Sequence, residues 1–192
     1  MNIGLYFGSF NPIHIGHLII ANHVVNFTDI NQVWLVISPQ NPLKPSNTLL
    51  NEYHRLHLVQ KAIEDNPKLK ASDVEFRLPK PSYTIDTLLF LKEKYPKHKF
   101  SVVMGSDSYQ NINNWKEAQK LKENFSFIIY ERPDFIMDKI NIEKGKVIVL
   151  KAPLLEISAT TIRNNIKSGK SIKYLVPEVV DKEIVENGYY KI

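Results

Sequence analysis

Residues 3–17 read Ile3-Gly4-Leu5-Tyr6-Phe7-Gly8-Ser9-Phe10-Asn11-Pro12-Ile13-His14-Ile15-Gly16-His17. Ile3 to Phe7 is a short, continuous apolar run, the pattern of a parallel strand covered on both faces. Gly8 to Pro12 ends that run. Gly8 lets the backbone approach a ligand closely, and Pro12 fixes the turn. From there Ile15, Leu18, Ile19 and Ala21 fall at helical spacing. A buried strand, a tight loop and a helix in succession are the opening of a βαβ unit. The loop leaves His14 and His17 at the helix N-terminus, where free amides and the helix dipole favour an anion.

The rest of the chain repeats the alternation. Val33 to Ser38, Phe100 to Met104, Phe125 to Tyr130 and Val147 to Leu150 read as further strands. Between them lie helical patterns on Leu56, Val59, Ala62 and Ile63, on Ile85, Leu88, Leu89 and Leu91, and on Leu121 following Trp115 and Ala118. This predicts an α/β fold with a doubly wound parallel sheet, whose ligands sit at the carboxyl ends of the strands. From Leu155 onward no strong strand is visible, so the C-terminal part is expected to be short and helical. Ser158 to Ile166 reads as one helix with Ser158 as N-cap. Pro177 to Val185 reads as another, with Pro in the first turn and Gly188 past the end. The 192 residues suit a single domain, 1–192, with a real core. Pro39 to Pro45 forms a Pro-rich loop long enough to be mobile, and mobile loops often carry function.

Composition removes several function classes. The chain holds no cysteine, which excludes disulfides, thiolate catalysis and Cys-based zinc sites. A net charge of +5 favours anionic partners. The basic stretches Lys92 to Lys99 and Lys167 to Lys173 are broken by Pro, Gly and acids, so they read as solvated faces and no nucleic-acid partner is expected. No apolar run approaches the roughly 20 residues of a membrane helix, and no basic leader precedes the first strand. A cytoplasmic enzyme without a membrane partner is the expectation. A homo-oligomer is compatible with the sequence.

Two familiar phosphate loops are excluded. No G-x-G-x-x-G follows the first strand, and Ser168-Gly169-Lys170-Ser171 has Asn164 where a Walker loop requires Gly. Four other elements carry candidate chemistry. The first is the Gly8 to His17 stretch, whose imidazoles can follow charge on phosphate oxygens. Its alternatives are turn capping, or a metal held by His14, His17, His54 and His57. The second is Ile157-Ser158-Ala159-Thr160-Thr161-Ile162-Arg163. Hydroxyls and amides in a first helical turn can hold a phosphate there, and a guanidinium can bridge two oxygens. A capped surface helix is its alternative. The third is Gly105-Ser106-Asp107 after a strand, where Asp107 accepts from ribose hydroxyls, helps order a metal ion, or simply N-caps the next helix. The fourth is Pro81-Ser82-Tyr83-Thr84-Ile85-Asp86-Thr87, with Thr84 at a helix start, together with Trp115. Trp115 is either a stacking surface for an aromatic ring or a core residue.

Together these stretches resemble the nucleotidyltransferase superfamily with the HIGH-type signature. The pattern G-x-F-x-P-x-H-x-G-H is met at Gly8, Phe10, Pro12, His14, Gly16 and His17. The late I-S-x-T-x-x-R pattern is met at Ile157, Ser158, Thr160 and Arg163. From Asn2 to about Lys167 the chain is similar to the bacterial nicotinate-nucleotide adenylyltransferases. That likeness also rests on Pro81 to Leu88, Gly105 to Asp107 with Trp115, His54-Arg55-Leu56, and Leu154 to Ser158. The family usually carries Pro-His-Lys after the second strand, where this chain has Pro42-Leu43-Lys44. Ala159 stands where Ser is common, and Thr161 replaces a usual acid.

The resemblance implies a Rossmann-like fold and transfer of AMP from ATP to nicotinate mononucleotide, giving nicotinate adenine dinucleotide and pyrophosphate on the route to NAD. Its cofactor is Mg2+, arriving as Mg-ATP without a dedicated protein-only metal site. The catalytic set is then His14, His17, Arg163 and Lys44. The ATP-binding set is Gly8, Ser9, Phe10, His14, His17, Gly105, Asp107, Ile157, Ser158, Thr160 and Arg163. Nicotinate mononucleotide falls to Lys44, Tyr83, Thr84, Asp107 and Trp115. The rival readings are another adenylyltransferase of the superfamily, with phosphopantetheine or the amidated mononucleotide as acceptor, and a non-catalytic nucleotide sensor.

Overall fold

Six strands hydrogen-bond side by side in a computed structural model of the chain, which describes residues 1–40, 49–132, 135, 146–153 and 156–191. They are β1 (Asn2–Gly8), β2 (Gln32–Ile37), β3 (Leu69–Ser72), β4 (Lys99–Gly105), β5 (Ser126–Tyr130) and β6 (Val147–Leu150). Their order across the sheet is β3-β2-β1-β4-β5-β6, and every neighbouring pair is parallel. The chain therefore builds outward from β1 in one direction, returns, and builds outward from β4 in the other. This is the doubly wound arrangement, and its reversal point lies between β1 and β4.

The continuous apolar strands have the expected physical basis. Tyr6, Val33, Leu35, Ile37, Val103, Ile128 and Tyr130 face one core. Ile3, Leu5, Trp34, Val36, Val102, Met104, Phe127 and Ile129 face the other. The first core is closed by α1 (Ile15–Phe27), α2 (Glu52–Ala62), α6 (Ala159–Lys167) and α7 (Glu178–Glu186). The second is closed by α3 (Thr84–Lys94), α4 (Ser106–Gln110) and α5 (Ala118–Asn124). The central strands are buried on both faces, as an all-parallel sheet requires, while the edge strands leave Lys70 and Ile148 exposed.

Local details refine the sequence reading. β3 was not visible in the pattern: its Leu69-Lys70-Ala71-Ser72 holds a single large apolar residue and lies at the sheet edge. Trp115 does not open a helix with Ala118 and Leu121. It follows a 3-10 turn over Ile112–Asn114, and Glu117 at φ 50° breaks the path before α5 begins. α6 starts as expected, with the Ser158 hydroxyl accepting from the Thr161 amide at 3.1 Å. Pro177 is the N-cap of α7, one position earlier than its expected place in the first turn. Gly188 follows the α7 C-cap with φ 65°, where a residue without Cβ is favoured. Gly169 sits past the end of α6 at φ 66°, so the Ser168 to Ser171 stretch ends a helix and does not start one.

Candidate active site

Gly8 ends β1 and Gly105 ends β4, so two of the four elements read from the sequence flank the reversal point of the sheet. Both glycines have steric reasons beyond ligand approach. A Cβ on Gly8 would stand 2.9 Å from the Phe10 ring. Phe10 is 1% exposed, takes φ 44°, and packs edge-on to Tyr6 and His17 at 5.8 and 5.0 Å between ring centres. Its side chain supports the loop from below, so only its backbone is available to a nucleotide. A Cβ on Gly105 would collide with Asp107 and come within 3.0 Å of Arg132. The space above Gly105 thus belongs to an Asp107–Arg132 ion pair, 3.2 Å between Oδ1 and Nε. Asp107 does not N-cap α4; Gly105 takes that position, and Asp107 lies in the first turn.

The two histidines meet at the start of α1. His14 is the N-cap residue and His17 is three positions on; their rings stack at 3.6 Å and 26°. The His14 backbone N–H donates to His17 Nδ1 at 3.3 Å. With Nδ1 accepting, a neutral His17 carries its proton on Nε2, which is then a donor. His14 is 6% exposed. Burial, with the Arg132 charge adding to it, lowers its pKa from 6.5 to about 4. His14 is therefore a neutral imidazole at physiological pH. The four-histidine metal alternative has no support in the geometry. His57 Nε2 pairs with Glu183 at 3.2 Å, and His54 Nδ1 lies 2.9 Å from the Tyr189 hydroxyl. Among the described residues no group of three His, Asp or Glu side chains is placed to share a metal.

The late motif folds back onto the early one. Arg163 Nη1 donates to the Asn11 carbonyl at 2.7 Å, and its Nη2 donates to Thr160 Oγ1 at 3.2 Å. Residues 152 positions apart in the chain are thereby joined at one point. Ser158 is exposed and engaged locally: its hydroxyl lies 2.8 Å from Thr161 Oγ1 besides capping α6. Thr161 thus fills the place of the usual acid with a cap contact. Ser9 and Ile157 are half-buried beside these groups' elements.

On the other face of the sheet, Thr84 opens α3 with Tyr83 as its N-cap, and both are half-buried. Tyr83 and Trp115 pack against the second core. Lys116 Nζ reaches Asp86 at 2.8 Å and stands 4.9 Å above the Tyr83 ring, which ties the Trp115 segment to α3. Lys44 lies outside the described residues, as do Pro42, Leu43, Leu154 and Leu155.

Two arginines were not assigned a role from the sequence. Arg132 follows β5; besides Asp107 it donates to the Tyr130 hydroxyl at 3.2 Å, and that hydroxyl lies 3.4 Å from Tyr6 OH. Nothing local marks it, because only the sheet order brings the end of β5 beside β4. Arg55 on α2 is fully buried and donates to the carbonyls of Ser9, Ser38, Pro39 and Leu50 at 2.6–3.0 Å. Its neighbours His54 and Leu56 give the only sequence hint, through the family likeness.

The comparisons with known proteins agree with this geometry. The cytidylyltransferase-like family model matches residues 5–165. A probable nicotinate-nucleotide adenylyltransferase of Flavobacterium psychrophilum is 50% identical over 192 residues, covering all of both chains. Among solved structures, the Plasmodium falciparum nicotinic acid mononucleotide adenylyltransferase complexed with NaAD superposes with a TM-score of 0.81. It is 26% identical, and the match covers 98% of this chain and 97% of that one. The same enzyme complexed with APC gives 0.80 at the same identity, covering 98% and 96%. The HIGH-type loop at β1, the α6 motif that closes on it and the Gly-Ser-Asp turn at β4 stand in a chain matched from end to end, and the chain belongs to the nicotinate-nucleotide adenylyltransferases within the cytidylyltransferase-like family.

Proposed function

We infer that the chain transfers the AMP part of ATP to nicotinate mononucleotide, releasing pyrophosphate and forming nicotinate adenine dinucleotide. The observation that carries this reading is the Arg163–Asn11 hydrogen bond. It brings a guanidinium and a helix N-terminus against the loop that holds two stacked imidazoles, all at the reversal point of the sheet. Such a cluster suits a polyphosphate better than any neutral ligand.

The chemistry needs little from the protein beyond placement. A nucleotide phosphate has a second pKa near 6, so the acceptor is largely a dianion at neutral pH and needs no base. Its oxygen attacks the α-phosphorus of ATP; the bond to the β-phosphate bridging oxygen breaks, and pyrophosphate leaves. Two anions must approach and negative charge must shift, which makes positioning and electrostatic stabilisation the main contributions. In this reading His17 donates from Nε2 to the α-phosphoryl oxygens. His14, held neutral, supports the stack and the phosphates. Ser158 backbone groups, Thr160 and Arg163 hold the β- and γ-phosphates, and Lys44 approaches from the loop after β2. Arg132 adds a fixed positive charge near His14 while orienting Asp107 toward ribose. Tyr83, Thr84 and Trp115 receive the nicotinate ring and its carboxylate. Magnesium would enter with ATP and offset the charge of its phosphates, with no residue of the chain assigned to hold it. The 192 residues act as one unit in this scheme.

Pyrophosphate release tests the reading. With ATP present, nicotinate mononucleotide should support release, the amidated mononucleotide should do so more slowly, and phosphopantetheine should not. Equal or faster release with phosphopantetheine, or none with any acceptor, overturns it.

A further inference from the structure

Among the described residues, Glu75 is the one buried carboxylate, and the proposed chemistry does not use it. It lies in the 3-10 turn Val74–Arg77 that follows β3 and is 2% exposed. Three hydroxyls from two separate segments point at it. Ser82 Oγ donates to Oε2 at 2.8 Å and Thr87 Oγ1 donates to Oε1 at 3.0 Å. Ser38, the residue after β2, supplies a third side-chain hydrogen bond. Ser82 and Thr87 are buried as well, at 8% and 0% exposure.

A leucine or methionine would fill this space without desolvating a charge. Burial pushes the Glu75 carboxyl above its ordinary range, and the hydroxyls of Ser82, Thr87 and Ser38 oppose that shift by donating to it. Those donors are not scattered. Ser82 immediately precedes Tyr83 and Thr84. Thr87 occupies the first turn of α3, and its hydroxyl also stands 3.3 Å from the Tyr83 carbonyl. Ser38 is the base from which the loop carrying Lys44 departs. The Tyr83–Thr84 turn, assigned to the acceptor, and the residue that follows β2 are therefore anchored on one carboxylate. By contrast, none of the three hydroxyls belongs to the β1 loop or to α6.

We propose that Glu75 is a positioning residue for the acceptor: through Ser38, Ser82 and Thr87 it fixes the Tyr83–Thr84 turn and the start of the loop after β2 in the geometry that binds the nicotinate half. The inference rests on the acceptor reading given above. Glu75 touches no substrate, so its loss acts on acceptor affinity and leaves the phosphate-holding groups in place.

The test is Glu75→Gln, which keeps shape and one accepting oxygen but loses the charge and sets an NH2 donor against a hydroxyl that now donates. KM for nicotinate mononucleotide should rise about tenfold, the scale of a lost charge-assisted hydrogen bond. KM for ATP and kcat at saturation should stay within about twofold on the same grounds. An unmoved acceptor KM, or parallel rises for both substrates, overturns the proposal. Should Glu75→Gln fail to fold, Ser82→Ala and Thr87→Val each remove one hydroxyl. Each should raise the acceptor KM about threefold with the ATP KM unchanged; two variants with wild-type acceptor KM overturn it equally. Wild-type enzyme that releases no pyrophosphate with nicotinate mononucleotide overturns the acceptor reading and this inference with it. A working wild type with unmoved variants overturns this inference alone.

Discussion

His14 and His17 stack face to face but answer different questions. His17 is held by a backbone N–H on Nδ1, which makes Nε2 its donor. Removing a donor aimed at developing charge costs about 10²–10³ in turnover. His17→Ala should therefore lower kcat by that factor with little change in the KM for ATP, measured by steady-state pyrophosphate release. Near wild-type turnover in that variant would remove His17 from the transition state. His14 makes its prediction through stability. Its folded pKa lies near 4, below the ordinary value of 6.5 that the unfolded chain keeps. As pH falls from 6.5 toward 4 the unfolded chain binds a proton that the folded chain refuses, so stability present above that window is lost across it. The loss is about 3 kcal/mol at most from this residue. Urea midpoints of wild type and His14→Gln at pH 7 and pH 4.5 isolate it, because the other titrating groups cancel in the difference. The wild type should lose more on acidification; parallel losses would mean that His14 is not held neutral. Gly8 gives a third test at this scale. Gly8→Ala must push aside a Phe10 ring that has no room to move, so the variant should be destabilised by about 1–3 kcal/mol, the usual cost of overpacking, read from its thermal midpoint.

At the scale of elements, Arg55 and Arg163 do comparable work at different depths. Arg163 is half-buried and fastens α6 to the β1 loop. Arg55 is fully buried and gathers the ends of β1 and β2 by their carbonyls. Its replacement leaves several buried acceptors without a donor, so Arg55→Met should cost about 3–5 kcal/mol, seen as a lower chemical-denaturation midpoint. A variant of unchanged stability would show that water replaces the guanidinium. These two residues also mark how far the sequence could be read. The β1 loop and the α6 motif were legible because their chemistry is local: spacing, capping and a helix start. Five of the strands were legible as continuous apolar runs; β3 was not, since an edge strand with one large apolar residue carries no such signal. The placement of Trp115 failed because a left-handed Glu117 leaves no mark on hydrophobic periodicity. Arg132 and Glu75 were silent, and Arg55 was marked only through the family likeness, for a different reason. Arg55 meets the Ser9 and Ser38 carbonyls only once the strand ends are assembled, and the Asp107–Arg132 pair exists only because β5 lies beside β4; Glu75 meets Ser82 and Thr87 through a local turn that hydrophobic periodicity does not mark.

The whole molecule divides its labour across the sheet. Phe10, Ile13 and Ile162, which support the imidazole loop and α6, belong to the core on one face. Ile85 belongs to the core on the other face, against which Tyr83 and Trp115 also pack. Close-packed interiors transmit small volume changes to what they support, and the six-stranded sheet stands between the two cores. Ile162→Val and Ile85→Val each remove one methyl group from a residue no more than 1% exposed. Each should cost about 1 kcal/mol, and about 3 °C in thermal midpoint for a chain of this length. Their kinetic effects should part company: Ile162→Val raises the KM for ATP, and Ile85→Val raises the KM for nicotinate mononucleotide. The double variant should show both effects at full size, since sites that share no partners add to within about 0.5 kcal/mol. A coupling larger than that, in stability or in either KM, would mean that the sheet passes strain from one substrate half to the other, and the two faces would have to be treated as a single support.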